Sequence, residues 1–286
     1  MMLVTAQHQS APLPIASVVA GRGPMSMIHI GTSGYSYDDW VGPFYPEGTD
    51  KRSFLDFYAR HFTCTEVNYT YYRMPDAPTL EAMSAKTPPD FRFVIKAHGG
   101  MTHQRNATQA DFDDFIAALS PLREQGKLLC TLAQFPWSFK LNQRNVDYLK
   151  HLRLMLPDLP VVIEFRNDTW MRDETFAFLR EADFGFCCVD QPRLKGLIPP
   201  VTELTSSIAY VRFHGRNAKK WWRHDEAWER YDYLYSREEL AEWVPKTAEL
   251  ASASEATCVF FNNHYSAQAV QNAMEFAEML EDTGIA

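Results

Sequence analysis

The sequence predicts an α/β fold, a single (β/α)8 TIM barrel with a basic, aromatic-rich insertion after its seventh strand. Eight apolar runs of strand length alternate with helical or connecting segments between residues 28 and 286, and such alternation is typical of a parallel sheet. Eight units in roughly 250 residues fit a closed barrel better than an open sheet. Polar residues follow the apolar runs at their carboxyl ends, where such barrels carry their sites.

The strands are predicted from apolar, β-branched and aromatic runs, and glycine, proline or charged residues end them. The first opens directly onto Gly31 and Gly34, and the fourth is closed by Pro136. The sixth is followed by a weak helical pattern. In chain order, the predicted strands are residues 28–31, 64–72, 91–99, 128–135, 161–166, 185–191, 208–215 and 257–263.

The helices are predicted from apolar residues at helical spacing and from their capping residues. Ser53 is the expected N-cap of the first helix, and Gly126 ends the third. Ser236 and Glu239 have capping-box spacing, and Pro245 is expected to kink the helix that they open. In chain order, the predicted helices are residues 53–61, 76–86, 109–124, 142–156, 173–182, 236–250 and 267–280.

Composition restricts the class of protein. The 286 residues are 46% hydrophobic and 22% charged, as in ordinary globular proteins. The net charge of −8 argues against a general nucleic-acid coat, although a local basic patch stays open. No apolar run approaches the roughly 20 residues that span a bilayer, so no membrane association is expected. The five cysteines lie in apolar runs without metal-ligand spacing, which favours buried thiols in a cytoplasmic protein.

Residues 1–27 differ from the rest of the chain. They are rich in Gln, Ser, Pro, Ala and Gly and have no helical or strand period. Their apolar stretch, residues 15–20, is short and follows no Lys or Arg, so a signal peptide is not expected. We predict a flexible N-terminal extension at residues 1–27 and one barrel domain at residues 28–286.

Charged and polar residues recur in pairs where the predicted strands end. Alternate residues share a face of a strand, so Glu164 and Arg166 are expected together while Phe165 takes the other face. In a barrel these pairs converge on the carboxyl face. The other pairs are Glu66 and Asn68, Lys96 and His98, Arg212 and His214, and Asn262 and His264.

Short motifs between residues 28 and 264 carry a resemblance to a known family. They are Gly31-Thr32-Ser33-Gly34-Tyr35, Phe44-Tyr45-Pro46, Glu66-Val67-Asn68, Thr102-His103, Gln134-Phe135-Pro136, Glu164-Phe165-Arg166, Tyr210-Val211-Arg212, His214-Gly215-Arg216 and Phe261-Asn262-Asn263-His264. In these residues the chain resembles the YecE-like family, domain of unknown function 72. The resemblance implies a TIM barrel and no particular reaction, because the family has no settled activity.

The strand-end residues predict an anion site with acid-base chemistry. Arginine forks and lysine suit carboxylate and phosphate, and His214 is expected to titrate near neutral pH beside Glu66 or Glu164. The predicted catalytic residues are Glu66, Glu164, Asp190 and His214. The predicted substrate-binding residues are Asn68, Lys96, His103, Gln134, Arg166, Trp170, Arg212, Arg216, Asn262, Asn263 and His264.

Other interpretations of these residues stay open. They could form a structural lattice of ion pairs. Histidines and carboxylates could also hold a metal, but the three cations among them would repel a divalent ion, so no metal ligand and no cofactor is predicted. An enzyme of the hydrolase or lyase/isomerase type, acting on a small anionic phosphate- or sugar-containing substrate, is favoured. A nucleic-acid-binding or nuclease-like barrel and a non-catalytic ligand-binding protein are the alternatives, and the sequence leaves the oligomeric state open.

The predicted insertion begins at the seventh strand. Residues 212–224 contain five Lys or Arg and two His but no acid, and Trp221 and Trp222 lie among them. This pattern fits a lid or platform for an anionic ligand, in which aromatic rings stack on a sugar or base. It also fits an amphipathic segment that its aromatic residues merely pack onto the barrel.

Overall fold

A computed structural model of the chain describes residues 27–284, and within them eight parallel strands form one closed barrel. Each strand pairs with the next in chain order, and the last pairs with the first. The predicted barrel is therefore confirmed. The strands are β1 (Met27–Ser33), β2 (Cys64–Val67), β3 (Arg92–Lys96), β4 (Leu128–Gln134), β5 (Val161–Glu164), β6 (Phe184–Asp190), β7 (Ile208–Phe213) and β8 (Ala256–Phe261).

Helices surround the barrel and connect its strands. They are α1 (Phe54–Tyr58), α2 (Ala77–Ala85), α3 (Gly99–Thr102), α4 (Gln109–Ala118), α5 (Ser120–Glu124), α6 (Gln143–Met155), α7 (Asp173–Glu181), α8 (Arg237–Ala241), α9 (Val244–Ala253) and α10 (Gln268–Glu281). Single 3₁₀ turns occur at Asp38–Trp40, Lys51–Ser53, Tyr69–Tyr71, Asp168–Trp170, Ala227–Tyr231 and Tyr265–Ala267. Within the described residues no helix is both long and apolar enough to cross a membrane. The expected extension, except for Met27, lies outside the described residues.

Capping residues begin several helices as the sequence predicts. Ser236 and Glu239 form a complete capping box at the start of α8. Ser53 occupies the predicted N-cap position of α1, but its side chain makes no capping hydrogen bond, because a 3₁₀ turn precedes α1 and the side chain of Asp50 caps that turn by accepting from the Arg52 N–H. The predicted kinked helix is instead two helices, α8 and α9. Pro245 lies in the first turn of α9, where its missing N–H breaks no helical hydrogen bond.

All predicted strands except the first end earlier than expected, and in two of them the chain turns away before a predicted partner residue. β2 stops at Val67, because Asn68 takes helical backbone angles and the 3₁₀ turn Tyr69–Tyr71 follows. β3 stops at Lys96, and His98 instead caps α3, where its Nδ1 accepts the N–H of Gly100 at 3.2 Å. The expected pairing of strand neighbours therefore fails for Asn68 and His98.

The insertion after β7 folds back over the mouth of the barrel. The side chain of Asn217 donates to the carbonyls of Glu229 and Asp232, both at 3.1 Å, and so ties the two ends of the insertion together. Trp221 is 2% exposed, whereas Trp222 is 50% exposed. The insertion is thus anchored by one tryptophan and presents the other to solvent.

Strand register decides which residues face the interior. Glu66 is level with Ser33 and Val94, Gln134 is level with Glu164, and Arg212 is level with Val189. Side chains that are level on neighbouring parallel strands point the same way, and the next residue along each strand points the other way. Glu66, Gln134, Glu164 and Arg212 therefore share the interior near the carboxyl ends of the strands.

Candidate functional site

Arg212 bridges two carboxylates inside the barrel. Its Nη1 donates to Oε2 of Glu164 and its Nη2 to Oε1 of Glu66, both at 2.6 Å. The Tyr210 hydroxyl donates to the second Glu66 oxygen at 2.7 Å. These side chains are almost completely buried, so each charge depends on its protein partners rather than on water.

Glu164 is held by three cationic or N–H groups. In addition to Arg212, its Oε1 lies 2.6 Å from Nε of Arg166 and 3.0 Å from Nε2 of His214. Burial alone would raise the pKa of Glu164, but Arg166, Arg212 and His214 outweigh burial and hold that pKa well below its ordinary value. Glu164 is therefore ionised at neutral pH and is a poor proton acceptor.

His214 is completely buried between Glu164 and Asn262. Burial, reinforced by the charge of Arg166, lowers the pKa of His214 to about 3. The ring is therefore neutral, with Nε2–H donating to Glu164 and Nδ1 accepting the amide N–H of Asn262 at 3.1 Å. The prediction that His214 titrates near neutral pH is wrong, because the sequence does not show how deeply the ring is buried.

A cleft of ≈ 320 Å³ lies at the barrel mouth, and Arg166 links it to the buried carboxylates. Lys96, Arg166 and Arg230 line it together with His103 and Gln134, and its described lining contains no acidic residue. Aromatic side chains form most of the remaining wall. They are Tyr71, Tyr72, Trp137, Trp221, Trp222 and Tyr231.

Lys96 has few partners for its charge. Its Nζ donates to Oε1 of Gln134 at 3.0 Å and lies 5.0 Å from the ring centroid of Tyr71, but no carboxylate of the described chain forms an ion pair with it. Burial, together with the charge of Arg212, lowers the pKa of Lys96 to about 8. A fraction of the amine, roughly a tenth, is therefore neutral at pH 7.

The other cleft cations keep free donors. Arg166 uses Nε towards Glu164, and its terminal nitrogens have no partner among residues 27–284. Arg230 has no carboxylate partner in the described structure; its guanidinium lies 5.4 Å from the Trp221 ring centroid. The cleft also contains His103. Burial and the nearby charge of Lys96 lower the pKa of His103 to about 4, so its ring is neutral.

Asp190 lies outside this cluster. Asp190 is level with Phe213 on β7, whereas its neighbour Val189 is level with the inward Arg212. Its carboxylate accepts from both Nε and Nη2 of Arg216 at 2.8 Å. It also accepts from Nε1 of Trp243 on the outer helix layer at 2.8 Å. The expectation that Asp190 faces the interior is wrong, because the preceding residue, Val189, is the one that points inward at this position.

Three predicted binding residues share this outward placement. Arg216 is neutralised by Asp190 and Glu242, so its guanidinium is not free for a ligand. The Asn263 side chain donates to the carbonyl of Tyr233 and to the side chain of Asn272. The Trp170 indole donates to the carbonyl of Phe139 and stacks on Phe165 at 4.3 Å, outside the barrel wall.

Two further predicted residues lie beside the site without lining the cleft. The His264 ring stacks on Tyr37 at 4.6 Å and lies 5.6 Å from the Tyr231 ring. Asn68 leaves its strand, and its buried Oδ1 has no hydrogen-bond partner within the described chain. Of the predicted set, the structure brings together Glu66, Lys96, His103, Gln134, Glu164, Arg166, Arg212, His214 and Asn262.

Sequence reasoning missed several cleft residues. Arg230 reaches the cleft from the 3₁₀ turn Ala227–Tyr231, a segment with no period that could indicate its direction. Tyr71 and Tyr72 reach it because β2 gives way to a 3₁₀ turn. The aromatic-rich pattern of the insertion was the one available signal. In residues 27–284, no group of three or more His, Cys, Asp or Glu has an arrangement that could hold a metal ion.

Comparison with known proteins identifies the family. The sequence profile of the family described as "Protein of unknown function DUF72" matches residues 29–285. The UPF0759 protein YunF of Bacillus subtilis is 32% identical over 271 residues, which cover 89% of this chain and 95% of that protein. The UPF0759 protein YecE of Escherichia coli is 33% identical over 98 residues, 34% of each chain. A DUF72 family protein of Thermotoga maritima, known from its crystal structure, has 43% identity and a TM-score of 0.83, with 89% of this chain and 99% of that one covered. This chain therefore belongs to the DUF72 family.

Proposed function

We propose that the protein is an enzyme that binds a small anionic, phosphate- or sugar-containing substrate in the cleft and acts on it by acid-base chemistry. The observation that carries this proposal is the charge of the lining. Lys96, Arg166 and Arg230 line the cleft with no acidic residue beside them. The carboxylates beneath them are already neutralised by Arg212 and its neighbours.

The buried cluster and the cleft have different roles in this proposal. Glu164 forms an ion pair with Nε of Arg166, 2.6 Å away but without hydrogen-bond geometry, and the terminal nitrogens of Arg166 remain for a carboxylate or phosphate group. Glu66 and Glu164 hold Arg212 through its two terminal nitrogens, so Arg212 itself is not free for a ligand. Lys96, whose pKa is lowered to about 8 by burial and by Arg212, is the cleft group best suited to carry a proton near neutral pH.

Aromatic walls favour a substrate that also carries a sugar or another flat group. Tyr72 is 82% exposed, Trp137 is 38% exposed and Trp222 is 50% exposed, so each presents a face at the rim. Trp137 and Trp222 meet edge to face, with ring centroids 5.7 Å apart. Aromatic faces of this kind stack on sugars and bases.

All five cysteines are free, buried thiols, and we extend the proposal to a protein of the reducing cytoplasm.

The nucleic-acid alternative depends on the basic insertion. Much of its charge is paired: Lys220 lies 3.1 Å from Glu229, and Arg216 is neutralised by Asp190. A track for a phosphate backbone needs several free cations. Because these cations are already paired with carboxylates, the insertion suits a small ligand better than a nucleic acid.

The test is a fluorescence titration of the cleft tryptophans with inorganic phosphate, phosphorylated sugars and short oligonucleotides at two salt concentrations. We expect phosphate and phosphorylated sugars to change the emission. Arg166→Met should weaken this binding about tenfold or more, because a charged hydrogen bond contributes about 1.5–3 kcal/mol. The matched control is the double variant Lys219→Ala, Lys220→Ala, which removes two cations outside the cleft and should change the affinity little.

Two outcomes would contradict the proposal. Tight oligonucleotide binding with a steep salt dependence, lost in the Lys219 and Lys220 double variant, would establish the nucleic-acid alternative. Binding of phosphorylated compounds with no turnover of any of them would make the protein a ligand-binding barrel rather than an enzyme.

A further inference from the structure

We propose that Lys96 is a nucleophile that forms an imine with an aldehyde or ketone group of the anionic ligand. This inference rests on the proposed function and narrows its substrate class to anionic carbonyl compounds. Lys96 ends β3, and its contacts differ from those of Lys127, a buried lysine directly before β4.

Lys127 shows how a structural buried lysine is satisfied in this fold. It is 5% exposed, and its Nζ donates to the carbonyls of Ser84 and Thr87 at 2.8 and 2.9 Å and to the Thr87 hydroxyl at 3.0 Å. Three acceptors use all three ammonium protons. Burial and the charge of Arg92 lower the pKa of Lys127 as well, but its three hydrogen bonds leave no side of the nitrogen open, and Lys127 does not line the cleft.

Lys96 has the opposite environment. One oxygen, Oε1 of Gln134, accepts from its Nζ, and the Tyr71 ring is its other close neighbour. The side chain is half-buried and lines the cleft. After loss of one proton, the amine keeps its hydrogen bond to Gln134 and has its lone pair available to a molecule in the cleft.

The surroundings also favour the neutral amine. The partial burial of Lys96 and the charge of nearby Arg212 lower its pKa to about 8, although Glu66 and Glu164 act in the opposite direction. Desolvation and a neighbouring cation are the means by which proteins activate a lysine for attack on a carbonyl. The nearest carboxylates are engaged by Arg212 and Arg166, so neither forms an ion pair with the lysine.

The step balances with the groups present. The neutral Nζ attacks the carbonyl carbon, and a proton passes from nitrogen to the carbonyl oxygen to give a carbinolamine. The hydroxyl then leaves as water with one further proton, and a C=N bond remains. Both protons of the released water come from the amine nitrogen, so the step needs no separate proton donor, and His103 lines the same cleft as a neutral ring. Arg166 and Arg230 would hold the anionic group. No oxidant or reductant is needed.

The experiment uses pyridoxal 5′-phosphate as the probe, since it combines an aldehyde, a phosphate and a flat ring. The full-length protein is incubated with a limiting amount, treated with borohydride to reduce any imine to a stable secondary amine, digested and mapped by mass spectrometry. We expect the label on Lys96 and none on Lys127. Inorganic phosphate should suppress the labelling of Lys96 while leaving any labelling of exposed lysines unchanged.

A charge-preserving variant separates the two proposals. Lys96→Arg keeps a cation in the cleft but cannot form an imine, so it should still bind phosphate in the fluorescence titration and should lose the label. Phosphate binding by the unchanged protein without a label on Lys96 would overturn the imine and leave the anion site intact. A label on Lys96 that phosphate does not suppress would overturn the assignment to anionic carbonyl compounds. No phosphate binding at all would overturn the proposed function itself.

Discussion

Replacing Arg212 by methionine is expected to lower the free energy of unfolding by about 3–5 kcal/mol. The guanidinium is 1% exposed and is the bridge between Glu66 and Glu164, each 2.6 Å away. Without it Glu66 keeps the Tyr210 hydroxyl as its one side-chain partner in the described chain, and a buried carboxylate with so little compensation is costly. Denaturant melts of the two proteins measure the change.

A surface pair provides the matched control. Arg180 lies 2.7 Å from Glu203, nearly the same distance, but the two side chains are 50% and 32% exposed. Arg180→Met should cost less than about 1 kcal/mol, because water solvates the carboxylate that remains. The fourfold change Glu66→Gln, Glu164→Gln, Arg166→Met, Arg212→Met removes both carboxylates together with both of their arginines and should be less destabilising per charge removed. Equal losses for Arg212→Met and Arg180→Met would show that water reaches the cluster.

The barrel was predictable because its signal is repeated eight times. Each unit pairs an apolar strand with a helical or connecting segment, so an error at one boundary does not alter the fold class. The errors in strand length that matter for the site lie where a strand leaves the barrel. At Asn68 and His98 the backbone turns away from the extended conformation, and propensity alone does not determine where that happens.

Which strand-end residues enter the site was harder to predict. Parallel strands in such a barrel are buried on both faces and so lack the alternation that would reveal their inward side. The sequence pattern therefore groups Asp190 and Asn263 with the inward residues, although the residues that face the interior there are Val189 and Asn262. Arg166 was placed correctly because Glu164, two residues earlier, shares its face.

Stability is expected to fall markedly as the pH is lowered from 7 to 4. Burial lowers the pKa of His214 to about 3, with Arg166 contributing, and burial with Arg92 lowers that of His29 to about 4. Both values lie below the ordinary histidine pKa of 6.5, so the unfolded chain binds more protons than the folded chain between these values. The stability that depends on keeping these two rings neutral is complete above pH 6.5. It is lost as the pH falls towards the pKa values that the two histidines have in the folded protein.

Once the pH is well below the histidine pKa of the unfolded chain, each buried histidine lowers the free energy of unfolding by about 1.4 kcal/mol per pH unit. The two together lower it by about 2.7 kcal/mol per pH unit. Glu164 adds to it at lower pH. Its pKa is held well below 4.5 by Arg166, Arg212 and His214 against the effect of burial, so its stabilisation is complete above 4.5 and is lost as the pH falls further.

A single variant measures how much of this pH dependence of stability comes from His214. His214→Gln keeps an N–H that can donate to Glu164 and an oxygen that can accept from Asn262, but it has no proton to gain in this range. Its free energy of unfolding, measured by urea melts at pH 7, 6, 5 and 4, should decline less steeply than that of the unchanged protein, by about 1.4 kcal/mol per pH unit. The matched control is His151→Gln, at an exposed position on α6. If His214→Gln and His151→Gln decline in parallel, His214 is protonated within the folded barrel, and the neutral ring assigned to it between Glu164 and Asn262 is wrong.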